Sequence, residues 1–147
     1  MNFLKVKKVR DNAIIPMRAT SGSAGTDLYA CIDEPITIES GDLKLIPTGI
    51  AIELPDSGTA AFVFARSGLG IKHGIAPSNA VGVIDSDYRG EICVGLTNHG
   101  TEPFVIEPDM RIAQLILMPV LTPQIIETDT LTDTQRGENG FGSTGEK

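Results

Sequence analysis

The sequence predicts an all-β fold, a sandwich or a barrel, on the strength of three observations. Short apolar and β-branched stretches recur along the chain, clusters of glycine, proline, asparagine and aspartate separate them, and no convincing long helix interrupts the series. A chain of 147 residues fits one domain that can bury a core without stabilisation by disulfides or a metal ion. We expect one β-domain over residues 1–134 and a flexible glycine-rich C-terminal tail over residues 135–147.

Ten stretches are expected to form strands, because each is apolar or β-branched and is bounded by turn residues. In chain order they are residues 3–9, 27–32, 36–38, 43–54, 59–65, 80–84, 91–98, 104–106, 111–120 and 123–127. Periodicity leaves 111–120 ambiguous, but Pro108 before it and Pro119 near its end favour a buried strand over a helix. The intervening segments, such as SGSAG, ESGD and LPDSGT, are typical of tight turns.

The net charge of −7 lies entirely in the second half of the chain. Residues 1–72 hold eight basic and eight acidic side chains, whereas residues 73–147 hold four basic and eleven acidic ones. An acidic surface repels the phosphate backbone of a nucleic acid, so we expect no nucleic-acid partner. A small phosphate-bearing ligand is compatible with this charge if a few local cations and a metal ion neutralise it.

The N-terminus and the cysteines predict a cytoplasmic protein with no membrane partner. No apolar run approaches the roughly 20 residues that span a bilayer, and no apolar signal-peptide core follows the basic N-terminal residues. Cys31 and Cys93 lie in apolar, strand-like surroundings without C-x-x-C spacing. We expect both to be buried free thiols in a reducing compartment.

The segment GVIDSDYRGE, residues 82–91, places two carboxylates in a hairpin between an apolar run and a strand that begins at Glu91. One interpretation is a solvated turn, since aspartate and serine are common turn residues. The other is a catalytic hairpin. In that case Asp85, which follows Val83 and Ile84, points inward as a general base while Asp87 faces water.

Two further segments carry candidate phosphate ligands. Arg66, Ser67 and Gly68 follow a strand, and a guanidinium, a hydroxyl and open backbone amides can form a phosphate cradle. The P-loop spacing is absent, however, and no helix is evident after this segment. Arg111 and Gln114 stand where an apolar strand begins, either as edge residues that merely snorkel or as polar ligands.

Asp27, in SAGTDLYA, is the candidate metal ligand. A carboxylate between small residues and a strand suits Mg²⁺, directly or through water, because Mg²⁺ prefers oxygen ligands and retains several waters. The sequence does not predict a zinc site: His73 and His99 lie far apart, and the cysteines are not spaced as ligands. We expect both histidines to be structural.

The tail segment RGENGFGSTG, residues 136–145, leaves two interpretations open. Glycine loses much backbone entropy on ordering, which favours a frayed terminus. Against this, Phe141 is a lone aromatic among glycines, and Arg136, Ser143 and Thr144 suit phosphate oxygens. The alternative is a tail that becomes ordered over a ligand.

Taken in order, these five segments resemble the five motifs of the homotrimeric dUTPase family, and they span residues 24–145. The resemblance implies a jelly-roll β-fold of the dUTPase type and a homotrimer with three active sites, each built from all three subunits. It also implies Mg²⁺-dependent hydrolysis of dUTP to dUMP and pyrophosphate by attack of water on the α-phosphorus. This reaction would limit uracil incorporation into DNA and supply dUMP for thymidylate synthesis.

The resemblance assigns the base and sugar of dUTP to the segment from Asn79 to Tyr88. Asp85 would activate the attacking water, and Tyr88 would pack under the deoxyribose so that a 2′-hydroxyl cannot fit. Asn79 and neighbouring backbone groups would match the hydrogen-bonding edge of uracil. The residues that would contact this part of the substrate are Asn79, Gly82, Val83, Ile84 and Tyr88.

The resemblance assigns the triphosphate to the remaining motifs. Arg66, Ser67, Gly68 and Gln114 would bind phosphates, and Asp27 would lie near Mg²⁺. The tail would close as a lid, with Phe141 stacked on uracil and the polar side chains on the phosphates. The implied lid residues are Arg136, Phe141, Gly142, Ser143 and Thr144. Glu138 departs from the usual small residue of the lid and should weaken closure unless it points to solvent.

Three alternatives compete with this interpretation. Asp56-Ser57-Gly58 matches the D-[ST]-G of aspartic proteases, but it occurs once and is typical of a turn between two strands. A dCTP deaminase-like relative would share the fold, yet it needs a glutamate base and extra loops that we cannot place. A non-catalytic, nucleotide-sensing β-module would bind dUTP without releasing pyrophosphate.

Overall fold

The computed structural model describes residues 3–138 and 140, and the described chain is built of short strands. There are eleven strands and one helix in this part of the chain. They are β1 (Lys5–Lys8), β2 (Thr26–Tyr29), β3 (Ile36–Ile38), β4 (Leu43–Pro47), β5 (Ile50–Glu53), β6 (Thr59–Phe64), α1 (Ser67–His73), β7 (Ile75–Pro77), β8 (Gly82–Ile84), β9 (Cys93–Asn98), β10 (Phe104–Ile106) and β11 (Arg111–Pro119). The predicted all-β class is confirmed.

The strands form four antiparallel sheets. The largest has the order β2-β11-β6-β8, a second has the order β4-β9-β7, and two-stranded sheets pair β1 with β5 and β10 with β3. The sheets do not close into one continuous barrel, so the barrel form of the prediction is wrong. Most strands are three to six residues long. Because the strands are so short, the hydrogen-bonded pairing of one sheet ends before it reaches the next sheet.

The core lies between the sheets and is filled by aliphatic side chains. In β9, Val94 and Leu96 are buried while alternate positions face outward, as expected for a strand with one face on the core. Asn98 continues the buried row and is fully bonded: its amide donates to the carbonyls of Ile38 and Glu102, and its side-chain oxygen accepts from Gly100 N–H. Burying this amide therefore leaves no polar group without a partner.

Three element assignments from sequence need correction. The stretch 43–54 is two strands, because Gly49 turns the chain between them with φ of 70°. Residues 75–77 form β7, a strand that the sequence did not predict, because proline and serine directly follow its short apolar start. Residues 123–127 form no strand, since no strand among the residues that the structure describes pairs with them.

A short helix follows Arg66, although the sequence showed no helix there. α1 has only seven residues and two glycines, so its pattern is too short to be distinguished from a turn. Gly74 ends it in the left-handed conformation, and its N–H donates to the Gly70 carbonyl. Within the described residues no helix is long and apolar enough to cross a membrane.

The two thiols are free but differ in exposure. Cys31 is buried as predicted, and its thiol donates to the Asn12 side-chain oxygen. Cys93 is exposed, so its predicted burial is wrong. Cys93 lies on the outward-facing side of β9, and its neighbour Val94 is buried. The apolar residues around Cys93 in the sequence did not indicate which face of the strand its side chain is on.

Residues 121–134 follow the last strand and are exposed throughout. Among them Leu121 and Ile125 are more than nine-tenths exposed, and Leu131 is 87% exposed. Large aliphatic side chains of this kind stabilise a structure only when another surface covers them. Residues 3–138 and 140, which the structure describes, provide no such surface for this segment.

Candidate active site

The predicted site residues that the structure describes gather in two separate clefts, apart from Arg136 in the tail. The first cleft has a volume of about 410 Å³ and the second about 300 Å³. No residue that the structure describes lines both of them. The predicted base and sugar residues belong to the first cleft, and the predicted phosphate and metal residues to the second.

The first cleft lies beside the edge strand β8. Within the described chain β8 pairs only with β6, in a register that places Gly82 opposite Val63 and Ile84 opposite Ala61. The other edge of β8 therefore presents backbone groups to the cleft, where they can pair with a planar hydrogen-bonding ligand. Predicted site residues along this cleft are Asn79, Gly82, Val83, Ile84, Asp85 and Tyr88.

The segment 82–91 is not the hairpin that the sequence predicted. β8 belongs to the four-stranded sheet, whereas the next strand, β9, begins at Cys93 and pairs with β4 and β7. The loop between them therefore carries the chain from one sheet to another. Asp85 is exposed on the single chain and lines the first cleft, and Asp87 is exposed as well. The assignment of Asp85 as the base stays a prediction.

The loop that carries Asp85 is held by its own hydrogen bonds. Tyr88 N–H donates to the Asp85 carbonyl across 3.2 Å. The Arg89 guanidinium donates to the carbonyls of Ser86 and Tyr88 across 2.8 and 2.9 Å. These bonds close the turn without using either carboxylate, which leaves Asp85 available to a ligand.

Ala80 marks a strained turn beside Asn79. Its φ is 62°, in the left-handed region that residues with a Cβ disfavour by roughly 1–2 kcal/mol. Val81 N–H donates to the Asn79 carbonyl across 2.7 Å and closes this turn. Such outliers persist where the surrounding structure enforces them, often at binding sites. Nothing in the sequence identified this position.

Sheet pairing assembles the second cleft from three distant segments. β11 lies between β2 and β6, and Gln114 is paired with Asp27 on one side and with Phe64 on the other. The loop after β6, which carries Arg66, therefore reaches the same end of the sheet. The residues along this cleft include the predicted Asp27, Arg66, Ser67, Gly68 and Gln114.

Asp27 organises the cations of the second cleft. Its Oδ1 accepts from Arg66 Nε across 2.9 Å, and its Oδ2 accepts from an Arg111 guanidinium nitrogen across 3.3 Å. Arg66 also donates to the Arg111 carbonyl, and Gln114 donates to the Ala65 carbonyl across 2.9 Å. The side chain of Asp27 is only 14% exposed, so this pairing is partly shielded from solvent.

Arg111 is a further candidate site residue, which the sequence left open between an edge residue and a polar ligand. It lines the second cleft with the predicted ligands, and its charge is paired with Asp27. An arginine where an apolar strand begins is usually an edge residue, and only the pairing of β11 with β2 places it beside a carboxylate. The two guanidinium groups give this cleft a local positive charge within an acidic protein.

The second cleft suits Mg²⁺ that is held mainly by a ligand rather than by protein. Both Asp27 oxygens already accept hydrogen bonds from guanidinium groups, which would repel a cation in direct contact. Among the residues that the structure describes, no three or more His, Cys, Asp or Glu side chains are grouped so that they could hold a metal ion. Mg²⁺ commonly uses one or two carboxylates together with phosphates and water, and Asp27 fits that pattern through water.

Asp56 acts as a turn residue rather than a protease aspartate. Its Oδ1 accepts from Gly58 N–H across 2.9 Å and from the Thr59 hydroxyl across 3.0 Å. The turn joins β5 to β6 and lies outside both clefts. The hydrogen bonds agree with the turn that the sequence indicated.

The predicted lid is only partly described. Arg136 and Glu138 are exposed. Phe141, Gly142, Ser143 and Thr144 lie outside the described residues, as does Asn139. The roles assigned to the lid therefore stay predictions.

Sequence comparison identifies close relatives over nearly the full chain. The dUTPase family model matches residues 11–145. The deoxyuridine 5′-triphosphate nucleotidohydrolase of Desulfitobacterium hafniense (strain DSM 10664 / DCB-2) is 54% identical over 149 aligned positions, which cover 99% of each chain. The enzyme of the same name from Burkholderia cenocepacia (strain HI2424) is 50% identical, with 97% of this chain and 96% of the other covered.

Comparison with solved structures agrees with the sequence relatives. The dUTPase of Staphylococcus bacteriophage 80alpha, solved with dUpNHpp, superposes with a TM-score of 0.89 at 26% identity, and 99% of each chain is covered. A mutant of that phage enzyme with the same ligand gives a TM-score of 0.88. The strand pattern, the two clefts and the relatives lead to one conclusion: the chain belongs to the dUTPase family.

Proposed function

We propose that the protein hydrolyses dUTP to dUMP and pyrophosphate, by attack of water on the α-phosphorus. The observation that carries the proposal is the division of the described site residues. Those suited to a base and a sugar share the first cleft, and those suited to phosphates share the second. In a cell this reaction would keep uracil out of DNA and supply dUMP, in the cytoplasm.

We propose a homotrimer in which the complete site is built from more than one subunit. The first cleft of one subunit would face the second cleft of its neighbour, since the two clefts share no residue on one chain. Contact between two different surfaces is heterologous, and it closes into a ring under rotational symmetry. Leu43, Leu45 and Val83 beside the first cleft are 55–64% exposed, and an adjacent subunit would cover them.

Specificity would arise in the first cleft. The free edge of β8 and the Asn79 amide offer hydrogen-bonding groups to uracil, and cytosine would present its donor and acceptor in exchanged positions. A site that leaves its own polar groups unpaired with the wrong ligand can discriminate by roughly 10⁴ to 10⁵. Tyr88 would pack under the deoxyribose and exclude the 2′-hydroxyl of UTP.

Chemistry would take place where the two clefts meet. Asp85 would orient and deprotonate the attacking water, since its carboxylate is exposed to the first cleft and is not used to hold its own loop. Arg66, Arg111 and Gln114 would bind phosphate oxygens in the second cleft. Mg²⁺ would neutralise triphosphate charge when bound. The tail would close over the substrate, with Phe141 on the uracil.

The test is a pyrophosphate-release assay with dUTP, dCTP, dTTP and UTP, each with Mg²⁺ and with a chelator. We expect turnover of dUTP that requires Mg²⁺ and little turnover of the other three. Equal turnover of all four would contradict the uracil pocket. Ammonia released from dCTP would instead indicate a deaminase, and dUTP binding without pyrophosphate would indicate a sensing module.

Light scattering on the same sample tests the assembly. A mass of three chains is expected, and a monomer that retains full activity would contradict a site shared between subunits. Asp85→Asn serves as the inactive reference, because it changes only a carboxylate oxygen to an amide nitrogen. Any pyrophosphate release that it retains sets an upper limit on the activity of a contaminating hydrolase in the preparation.

A further inference from the structure

Glu91 connects the first cleft to the N-terminal segment of the chain. Its Oε1 accepts from Arg10 Nε across 2.7 Å, and its Oε2 accepts from a second Arg10 nitrogen across 3.1 Å. The same Oε1 also accepts from Gly49 N–H across 2.9 Å. The carboxylate thus forms a bidentate ion pair with the guanidinium and also accepts from a backbone N–H. This arrangement fixes the orientation of the Glu91 side chain as well as its distance from Arg10.

The backbone around Glu91 is tightly packed and hydrogen-bonded. Gly49 has φ of 70°, and an added Cβ there would come within 2.6 Å of both Ala13 and Cys31, so the turn is tightly enclosed. The next residue, Ile92, donates to the Ile50 carbonyl across 2.8 Å. Its own carbonyl accepts from the Thr48 hydroxyl across 2.6 Å. Glu91 is therefore anchored through its side chain and through the backbone that follows it.

Tyr88 is positioned against this anchor. Its hydroxyl donates to the Glu91 carbonyl across 3.0 Å. Its ring lies directly over Gly90, where an added Cβ would come within 2.3 Å of the hydroxyl oxygen. Tyr88 remains 45% exposed and borders the first cleft. Packing against Gly90 and the bond to Glu91 together set the position of the ring.

We infer that Arg10 and Glu91 are positioning residues for sugar discrimination: they hold Tyr88 in place through the Glu91 carbonyl and so decide how well UTP is rejected. The inference rests on the proposed hydrolysis of dUTP. Neither side chain needs to touch the substrate. Loosening the carboxylate would let the loop and the Tyr88 ring move, and a ring that moves would admit a 2′-hydroxyl.

The first experiment compares kcat/KM for dUTP and UTP in the wild type, Glu91→Gln, Arg10→Gln and Tyr88→Phe. Contacting residues of one network typically couple strongly enough that we expect the dUTP preference to fall by about tenfold in each variant. In Glu91→Gln and Arg10→Gln the fall should come mainly from better use of UTP, with kcat for dUTP nearly unchanged. Tyr88→Phe, which alters a residue of the first cleft itself, is the reference for loss of the hydroxyl. Glu53→Gln, which breaks the exposed pair of Glu53 with Lys5, is the matched control and should keep the preference.

A double variant separates positioning from general stability. Tyr88→Phe removes the hydroxyl through which Glu91 acts, so adding Glu91→Gln to it should lower the preference further by less than about twofold. If the two substitutions instead act independently, so that the double variant shows the product of the two single falls in dUTP preference, the inference would be overturned. So would a wild-type preference in Glu91→Gln and Arg10→Gln. If Glu91→Gln fails to fold, Arg10→Gln and Arg10→Lys decide, because they alter the more exposed partner of the pair.

Fluorescence provides a readout that needs no activity. The chain has two tyrosines and no tryptophan, so Tyr29→Phe leaves Tyr88 as the only strong emitter. In that background Glu91→Gln should increase quenching of Tyr88 by iodide, whereas Glu53→Gln should not. Unchanged quenching would overturn the inference. A wild type that does not hydrolyse dUTP would refute the proposed function and leave this fluorescence result to judge the positioning of Tyr88.

Discussion

Asp27 and Arg66 form an ion pair of 2.9 Å although 39 positions separate them in the chain. The pair exists because β11 lies between β2 and β6, which brings the residues that follow β6 beside those of β2. It gives the second cleft a fixed guanidinium. Asp27 is therefore placed to orient the two arginines. Its contact with Mg²⁺ through water stays a proposal.

Asp27→Asn should impair substrate binding more than turnover. The change removes a charged partner from Arg66 and Arg111, and hydrogen bonds to charged groups are worth about 1.5–3 kcal/mol. We expect KM for dUTP to rise roughly tenfold with a smaller loss of kcat. Steady-state kinetics at several Mg²⁺ concentrations provide the check. Asp56→Asn, in a turn outside both clefts, should behave like the wild type, whereas a change confined to the Mg²⁺ requirement would place Asp27 on the metal instead.

Asp85→Asn should fold and bind dUTP but lose turnover by about 10²- to 10⁴-fold, the usual contribution of a positioned general base. An amide cannot accept the proton of the attacking water. Pyrophosphate release measures the loss, and calorimetric titration with dUTP measures binding. Asp87→Asn, a nearby exposed carboxylate, is the control and should retain turnover. Near-normal activity of Asp85→Asn would assign the base to another residue.

A chain that ends at Gln135 should keep its fold and assembly but lose most activity. In the described part of the chain no core residue lies beyond β11, so the melting temperature and the mass by light scattering should match those of the full chain. The predicted lid would be absent, and water would not be excluded from the site. Full activity of the shortened chain would contradict the lid and favour the interpretation of the tail as a frayed terminus.

Acid should remove the stability that Glu91 provides. Hydrogen bonds from Arg10, and then from Gly49 N–H, hold the pKa of Glu91 below its ordinary value of 4.5. A carboxyl whose pKa is lowered on folding stabilises the protein above that ordinary value and loses the effect as the pH falls through the folded pKa. The wild type should therefore melt above Glu91→Gln near neutral pH, and the gap should narrow below pH 4.5.

Melting curves of both proteins between about pH 7 and pH 3 test this expectation. Glu53→Gln supplies the comparison, because Glu53 forms an exposed pair that solvent screens. Its difference from the wild type should be small at every pH. A gap for Glu91→Gln that stays constant across the range would show that charge at Glu91 does not produce the stabilisation.

Gly49→Ala should destabilise the fold by about 3 kcal/mol, from the cost of a left-handed residue and from overpacking. The new Cβ would come within 2.6 Å of the Ala13 Cβ and the Cys31 Sγ. Chemical denaturation measures the loss. Gly22→Ala, where an added Cβ meets nothing within 4 Å, should change stability little. Equal effects at the two glycines would contradict the argument from packing.

The sequence indicated the chemical role that a residue type could play at a given position, but it often did not indicate which residues surround that position in the fold. The strand over 111–120 was predicted because prolines bound a long apolar run, and β11 confirms it. Arg111, at its start, was left between snorkelling and ligand binding, because its partner Asp27 is 84 positions away. Cys93 was assigned to the interior because neighbouring apolar residues do not reveal which face of a strand is buried.

The sequence by itself determined the all-β class, most of the strands and the five polar segments, because these depend on local periodicity, turn chemistry and residue type. Only the tertiary structure decided that residues 82–91 cross between sheets, that Asp85 is exposed on a single chain, and that the site is divided between two clefts. The physical reason is that strand pairing joins residues far apart in the chain. Its register is set by how every buried side chain packs at once, and no local pattern contains that information.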